Sequence, residues 1–488
     1  MKYFKYIAII LIGNVFFSCS DFLEPVPSSS ITTDNYYSNA DELETGLIGV
    51  YAAIKGINSN SKNDNHGVQW EFYVTEMRSD NTSTKSPDSE DASDAGQLES
   101  LNVLPTNNFV GNYYTSYFQA IYRANVVLAN IGVVEDATAA NKIEAEAKFL
   151  RAYAYFNLVR LFGDLPLIDR VISPSETEVQ FTRVDKSIIY DLIVSDLLTA
   201  VNYLDLPYKT RASKVAAQAL LAKVYLSLDT PEYAKAQVLC EEIINSNKYA
   251  LQNNFHDVFY SERSNEIIFV IGYNSNVQDN SQIFSAEFMN AVGNTSGVNY
   301  VTTDAVAAID ANGGNRIADS YRPDPLTLFG GTVRYQVAKF FPDGETGGSD
   351  GQTFTGLPQL AGNDFIVLRY ADVLLMESEA ILAGGTETSN TKAIDAYMKV
   401  RVRAGFDAAT DRPSKLTKEA LLLERRVEFA FENHRLFDLI RFGEAPSKLS
   451  VFASASGFNF STTDLLLPIP QNEINLSKGV MKQNAGYN

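Results

Sequence analysis

Apolar residues recur along this chain with two different rhythms, and the change of rhythm divides it. From Ala40 onward Leu43, Leu47, Val50, Tyr51 and Ile54 fall on one helical face, with Ser38 or Asn39 placed to cap the first turn. Stretches 58–67 and 79–96, rich in Asn, Ser, Asp and Gly, read as loops. Helical spacing then dominates, predicting helices over 112–131, 139–162, 185–204, 213–228 and 231–246. Thr230-Pro231-Glu232 reads as a helix start, a cap followed by proline in the first turn. A further helical pair spans 369–404, from Tyr370-Ala371-Asp372-Val373-Leu374-Leu375 to Ala393-Ile394-Asp395-Ala396-Tyr397. Between the two helical blocks, over roughly 250–365, the rhythm breaks. Glu266 to Ile271 reads as a short strand, among glycine-rich stretches at Gly313-Gly314-Asn315, Gly330-Gly331 and Gly344 to Gly351. Long irregular segments on a regular scaffold are where binding function concentrates.

The pair 213–246 has repeat-like size. Ala216, Ala217, Ala219, Leu220, Leu221, Tyr225 and Leu226 lie on its first helix, facing Ala234, Leu239 and Ile243 on the second, and it resembles a divergent tetratricopeptide unit. At the other extreme of the chain, Lys2 and Lys5 precede an apolar run from Ile7 to Phe17, too short to span a bilayer, which takes about 20 residues. Ser18-Cys19 follows, and the whole resembles a bacterial lipoprotein signal in which residues 1–18 are removed and Cys19 is acylated. Residues 19–36, with Pro25, Pro27 and a run of serines, then read as a tether. With Cys19 lipidated, Cys240 has no disulfide partner and reads as a small buried apolar residue on a helix.

The formal charge of −19 excludes the basic footprint that nucleic acid requires. Catalytic patterns are missing as well. The three histidines, His66, His256 and His434, lie far apart, and there is no H-E-x-x-H and no phosphate loop. Gly293-Asn294-Thr295-Ser296-Gly297 misplaces the serine of a nucleophile elbow. Asp310-Ala311-Asn312-Gly313-Gly314-Asn315 begins like a calcium loop but lacks the acidic fifth residue, the sixth-position glycine and the twelfth-position glutamate, where Tyr321 stands. A pair of glycosidase carboxylates has no linear signature.

Several stretches, taken in order, resemble the SusD/RagB family. They are Phe149-Leu150-Arg151-Ala152-Tyr153-Ala154-Tyr155-Phe156-Asn157-Leu158-Val159-Arg160-Leu161-Phe162-Gly163-Asp164-Leu165-Pro166, then Val367-Leu368-Arg369-Tyr370-Ala371-Asp372, then Glu424 to Phe442, and finally Leu467-Pro468-Ile469-Pro470-Gln471 with Gln483-Asn484-Ala485-Gly486-Tyr487. The first reads as a helix apolar nearly all round, hence buried, with Gly163 as its C-cap and Pro166 blocking continuation. In the third, Glu424, Glu428 and Glu432 recur at i+4 and would repel unless paired. Arg425, Arg426, Arg435 and Arg441 are near enough in sequence to pair with them and with Asp438, as an ionic network that fixes register.

The resemblance implies a mostly α, SusD-like fold, in which tetratricopeptide-like hairpins form a scaffold with long irregular ligand-binding loops and little β structure. It divides the mature chain into an N-terminal region, 37–250, and a C-terminal region, 251–488, loop-rich over 251–365 and helical over 366–445, interleaved in one globular unit. It implies a non-catalytic, cofactor-free lipoprotein on the outer-membrane surface, held by lipid on Cys19. Such a protein captures an oligosaccharide for a SusC-like TonB-dependent transporter. A peptide ligand, as in RagB-like members, and a scaffold that binds only protein are the alternatives.

A saccharide site needs aromatic faces flanked by planar polar groups. Trp70 is the sole tryptophan against 26 tyrosines, so tyrosine is the alternative platform residue. Gln69 to Asn81 runs from an apolar stretch into a polar loop, so Trp70, with Arg78, Asp80 and Asn81 as polar partners, is a candidate and its end is expected to be exposed. Tyr273, Tyr300 and Tyr321, each in a presumed loop of the middle segment beside glycine or asparagine or close to them, complete the candidate set.

Overall fold

A computed structural model describes residues 37–487 except 60, 85–92, 206–208, 262, 276, 289–298, 324–332 and 343–357. The signal, the tether, Cys19 and the glycine stretches at 330–331 and 344–351 therefore lie outside the described residues.

The first helical block runs α1 (Ala40–Lys55), α2 (Asn108–Ala129), α3 (Ala137–Phe162), α4 (Lys186–Tyr203), α5 (Lys214–Ser227) and α6 (Tyr233–Asn245). Local chemistry sets most boundaries. Asn39 caps α1 by accepting from the Glu42 amide at 3.0 Å, while Ser38 bonds the Glu42 carboxylate in return. α2 begins four residues ahead of the expected start because Asn107 caps it, accepting from Val110 N. α6 begins two residues later than Pro231, since Glu232 has a non-helical backbone and donates its amide to Tyr225 O instead. α3 is the buried helix its composition calls for, and Gly163 ends it at φ 70°, a left-handed conformation that favours glycine. Pro166 then sits in a two-residue strand paired with Arg183–Val184. Cys240 is buried on α6.

Each of these helices packs on the next, giving a helical-hairpin array. α7 (Thr303–Asn312) lies in the middle segment, and its last turn takes up the calcium-like residues Asp310 to Asn312. The array resumes with α8 (Tyr370–Leu382) and α9 (Thr391–Arg403), and α6 packs directly against α8 although more than a hundred residues separate them. α10 (Lys418–Glu428) and α11 (Arg435–Arg441) follow.

The segment between α6 and α8 leaves and returns through one antiparallel ribbon. Its outgoing strand is Ile267–Ile271 and its incoming strand Phe365–Arg369, with Ile271 opposite Phe365 and Ile267 opposite Arg369. Arg369 leads straight into α8. The other antiparallel pairs within reach of this segment join β1 (Thr82–Thr84) to β3 (Asn299–Val301), and β4 (Tyr321–Pro323) to β5 (Tyr335–Val337), β2 being the outgoing strand and β6 the incoming one. The main apolar core reaches from Leu43 to Met481, with two small clusters beside it around Phe255 and Phe341. The fold is mostly α with a few short strands, as the pattern predicts.

The Glu424–Phe442 stretch departs from its reading in one respect. α10 stops at Glu428, and Phe431 and Asn433 adopt φ 69° and 64°, so Glu432 is not on the helix. The turn is held from outside: the buried Glu76 carboxylate accepts from Phe431 N and Asn433 N.

Candidate functional site

The predicted ionic network exists, but its partners come from elsewhere in the chain. Glu428 accepts from Arg316 at 2.7 Å and from Arg369 and Arg403. Glu424 pairs with Arg316 and Arg401, and Glu432 with Arg369 and Lys339. Arg425 bonds Asp372 and Asp438, both at 2.9 Å, and Arg441 bonds Glu379 and Asp438. Burial alone would raise these carboxyls, yet the arginines hold Glu428 well below the usual range and Asp438 at about 2, and Lys223 with Arg425 holds Asp372 well below it. Each glutamate of this cage is saturated by cations, so the cage fixes the fold and offers no group to a ligand.

The Gln69–Asn81 strap is not the exposed loop its polarity suggests. Trp70 is only 7% exposed, stacked on His66 (centroids 3.5 Å, planes 8° apart) with its edge toward Phe109. Tyr73 stacks on the other side of the group, 3.7 Å from Phe109. Arg78 is buried, donating to Val74 O and Asp464 O, and burial lowers its guanidinium to about 10. Asp80 is gripped in a fork by Arg435, two bonds of 2.7 Å, with Arg426 beside it. Burial would raise its carboxyl, but these cations keep it below its ordinary value. Asn81 is fully buried between Glu76, to which it donates, and Arg426, from which it accepts. The expected exposure fails because α10 and α11 bring two arginines onto the strap and bury its polar end.

The tyrosines fall in two places. Tyr273 follows β2, donates to Lys55 O at 2.7 Å and takes the Lys55 ammonium over its ring at 4.7 Å. It lines a cleft of about 390 Å³ with Tyr260, Asn274, Asn363 and Asp364, and Asp364 accepts the Tyr273 amide at 2.9 Å. Tyr300 and Tyr321 are instead brought together by the strand pairs. Ser83 on β1 sits opposite Tyr300 on β3, and β3 neighbours β5. The Arg334 guanidinium lies 5.0 Å above the Tyr300 ring, and Tyr335 meets Tyr321 edge-on at 5.3 Å and 90°. Tyr321 donates to Asp310, and burial together with that carboxylate raises its phenol. Tyr300 and Tyr321 are themselves buried, at 4% and 9% exposure, while Arg334 and Tyr335 remain half-buried at the surface.

An accessible tyrosine and an aromatic-backed guanidinium, underlaid by two further tyrosines, form a face suited to stacking on a ring and bonding its hydroxyls. Arg334 and Tyr335 escaped the sequence reading, though they follow Gly330-Gly331 by a few residues. Among the described residues no group of three His, Cys, Asp or Glu is arranged to hold a metal ion, and no helix is long and apolar enough to cross a membrane.

A helical-hairpin array interrupted by a long ribbon-and-loop segment is the architecture of SusD-like proteins, and solved members superpose on it. A laminarin binding SusD-like protein does so with TM-score 0.74 at 25% identity, covering 92% of this chain and 100% of its own. Two family profiles match in succession, one described as starch-binding associating with outer membrane over residues 21–226 and one as SusD family over 334–487. The chain belongs to the SusD/RagB family. SusD-like protein P2 of Formosa agariphila is 24% identical over 532 aligned positions, covering 100% of both chains. The starch-binding protein SusD of Bacteroides thetaiotaomicron is 23% identical over 81% of each chain.

Proposed function

We propose that this chain is a lipid-anchored surface protein that binds a neutral oligosaccharide, without cleaving it, and passes it to a SusC-like TonB-dependent transporter. The observation that carries the reading is the convergence of Tyr300, Tyr321, Tyr335 and Arg334 on adjoining strand pairs. Relatives named for starch and laminarin binding support the ligand class. In this proposal Tyr335 stacks on a sugar ring and Arg334 donates to its hydroxyls, while Tyr300 and Tyr321 set their height and orientation. Trp70, Arg78, Asp80 and Asn81 hold the strap that ends in β1, and so position the face without touching ligand. Tyr273 and its cleft extend the binding surface. Acylated Cys19 holds the protein at the outer membrane.

Titration calorimetry with laminari- and malto-oligosaccharides tests the ligand class. Binding by the native protein, lost or weakened in Tyr335→Ala with the fold intact, is the expected result. Unchanged affinity in both Tyr335→Ala and Arg334→Ala would place the ligand elsewhere. Shortened products after incubation would contradict the non-catalytic reading. Cys19→Ala is expected to move the protein from the membrane to the soluble fraction.

A further inference from the structure

Far from the tyrosine face, a cavity of about 610 Å³ opens where the end of α3 meets the start of α4, the end of α5 and α11, a size within the range of small-ligand sites. Its charges are arranged unlike those of the cage. Arg160, in the last turn of α3, is clamped between two rings, 4.1 Å from the Phe156 centroid and 3.7 Å from that of Phe437. It donates from Nε to Phe156 O and from Nη2 to the Asn157 amide oxygen, and Nη1 makes no hydrogen bond. No carboxylate forms an ion pair with it. Glu71, the acid whose field it feels most, shares with it a second, smaller cavity of about 50 Å³, makes no ion pair with it and accepts from the Tyr117 hydroxyl. Arg183, on the same cavity, is likewise held only by neutral acceptors, three carbonyls and the Asn484 amide.

Of the acids in the lining, Asp229 is ion-paired and Asp164 is not, its charge acting on Arg183. Asp164 accepts the Lys186 amide at 3.0 Å, and Asp229 pairs with the Lys186 ammonium at 2.6 Å. Arg441 is neutralised by Glu379 and Asp438. Arg160 therefore faces the cavity with no carboxylate paired to it, while Arg183 beside it feels the charge of Asp164, in a chain whose formal charge is −19.

We infer that this cavity binds a carboxylate-bearing saccharide, a uronic-acid unit, with the carboxylate on Arg160 and Arg183 adding attraction. A ring-clamped guanidinium keeps its planar fork oriented, the geometry that suits a carboxylate. Ser227, Tyr190 and Tyr233 line the remaining wall and suit sugar hydroxyls. This site stands independently of the neutral-glycan face.

The test is calorimetry on the full mature protein with trigalacturonate, its methyl ester and a neutral trisaccharide. The acid is expected to bind at least tenfold more tightly than the ester or the neutral sugar, with affinity falling as salt rises. Arg160→Lys keeps the charge but loses the fork and is expected to cost about tenfold. Arg160→Gln is expected to cost more, and Arg183→Gln about threefold. Tyr335→Ala is expected to leave trigalacturonate binding unchanged, which separates this site from the tyrosine face. Equal binding of acid and ester, no binding of the acid at millimolar concentration, or full binding by a folded Arg160→Lys variant would each overturn the inference. If Arg160→Gln does not fold, Arg160→Lys and the ester decide.

Discussion

The buried arginines of the cage and the half-buried Arg160 differ in what neutralises them. Arg316, Arg369, Arg403 and Arg425 point into carboxylates brought from several segments, and each is ion-paired. Arg369, Arg403 and Arg425 lie over aromatic rings as well, but Arg160 has the rings of Phe156 and Phe437 and no carboxylate paired to it. A cation surrounded by anions is spent on the fold, because removing either partner leaves an uncompensated buried charge. A cation flanked by rings and not ion-paired, as Arg160 is, keeps its charge for something else. Charged groups in a sequence thus say little about function until it is known what neutralises them.

The contrast is sharpest at Glu428, which serves three arginines at once. Glu428→Ala is expected to cost at least about 3–5 kcal/mol, read as a lower midpoint in chemical denaturation. Asp80→Asn removes the charge that Arg435 and Arg426 share and is expected to cost about 2–4 kcal/mol, with ligand affinity falling only as far as β1 shifts.

Acidity separates the two kinds of buried carboxyl. Asp438, Glu428 and Asp372 have folded pKa values below their unfolded ones, so their stabilisation is present above about pH 4 and is lost as pH falls through the folded values, about 2 for Asp438. Glu76 runs the other way. Burial lifts its carboxyl to about 7 against only neutral hydrogen-bond donors, so its contribution is complete below the unfolded value near 4.5 and is lost as pH rises to about 7. Glu76→Gln is expected to flatten the stability profile between those limits by roughly 1–3 kcal/mol, measured by urea denaturation across that range. The smallest effect belongs to the open face. Tyr335→Ala is expected to lose about 0.5–1.5 kcal/mol of oligosaccharide affinity beyond its lost contact area, with thermal stability nearly unchanged.

The same contrast explains what could be read without coordinates. Helices α3, α4 and α5 were legible to within two residues because burial along a helix is periodic and Gly163 and Ser213 punctuate it. That Glu424 and Glu428 would be buried and paired was also legible. Their partners were not, since Arg316 and Arg403 reach them from outside the segment and no local rule links those positions. Asp80 and Asn81 misled for the same reason: a polar run is expected to meet water, and here it meets α10 and α11. Tyr300 and Tyr321 were candidates by setting alone, and the strand pairing that gathers them with Arg334 and Tyr335 has no local signature.

The ribbon of β2 and β6 carries one last implication. Since α6 and α8 pack together as though consecutive, everything between Ile271 and Phe365 leaves and returns through two adjoining strand ends, and is tied back to the frame by β1–β3 pairing and by Arg316 and Lys339 in the cage. Length can be gained or lost between those ties without disturbing the junction of α6 with α8, whereas the tied residues are bound to the frame they help to build.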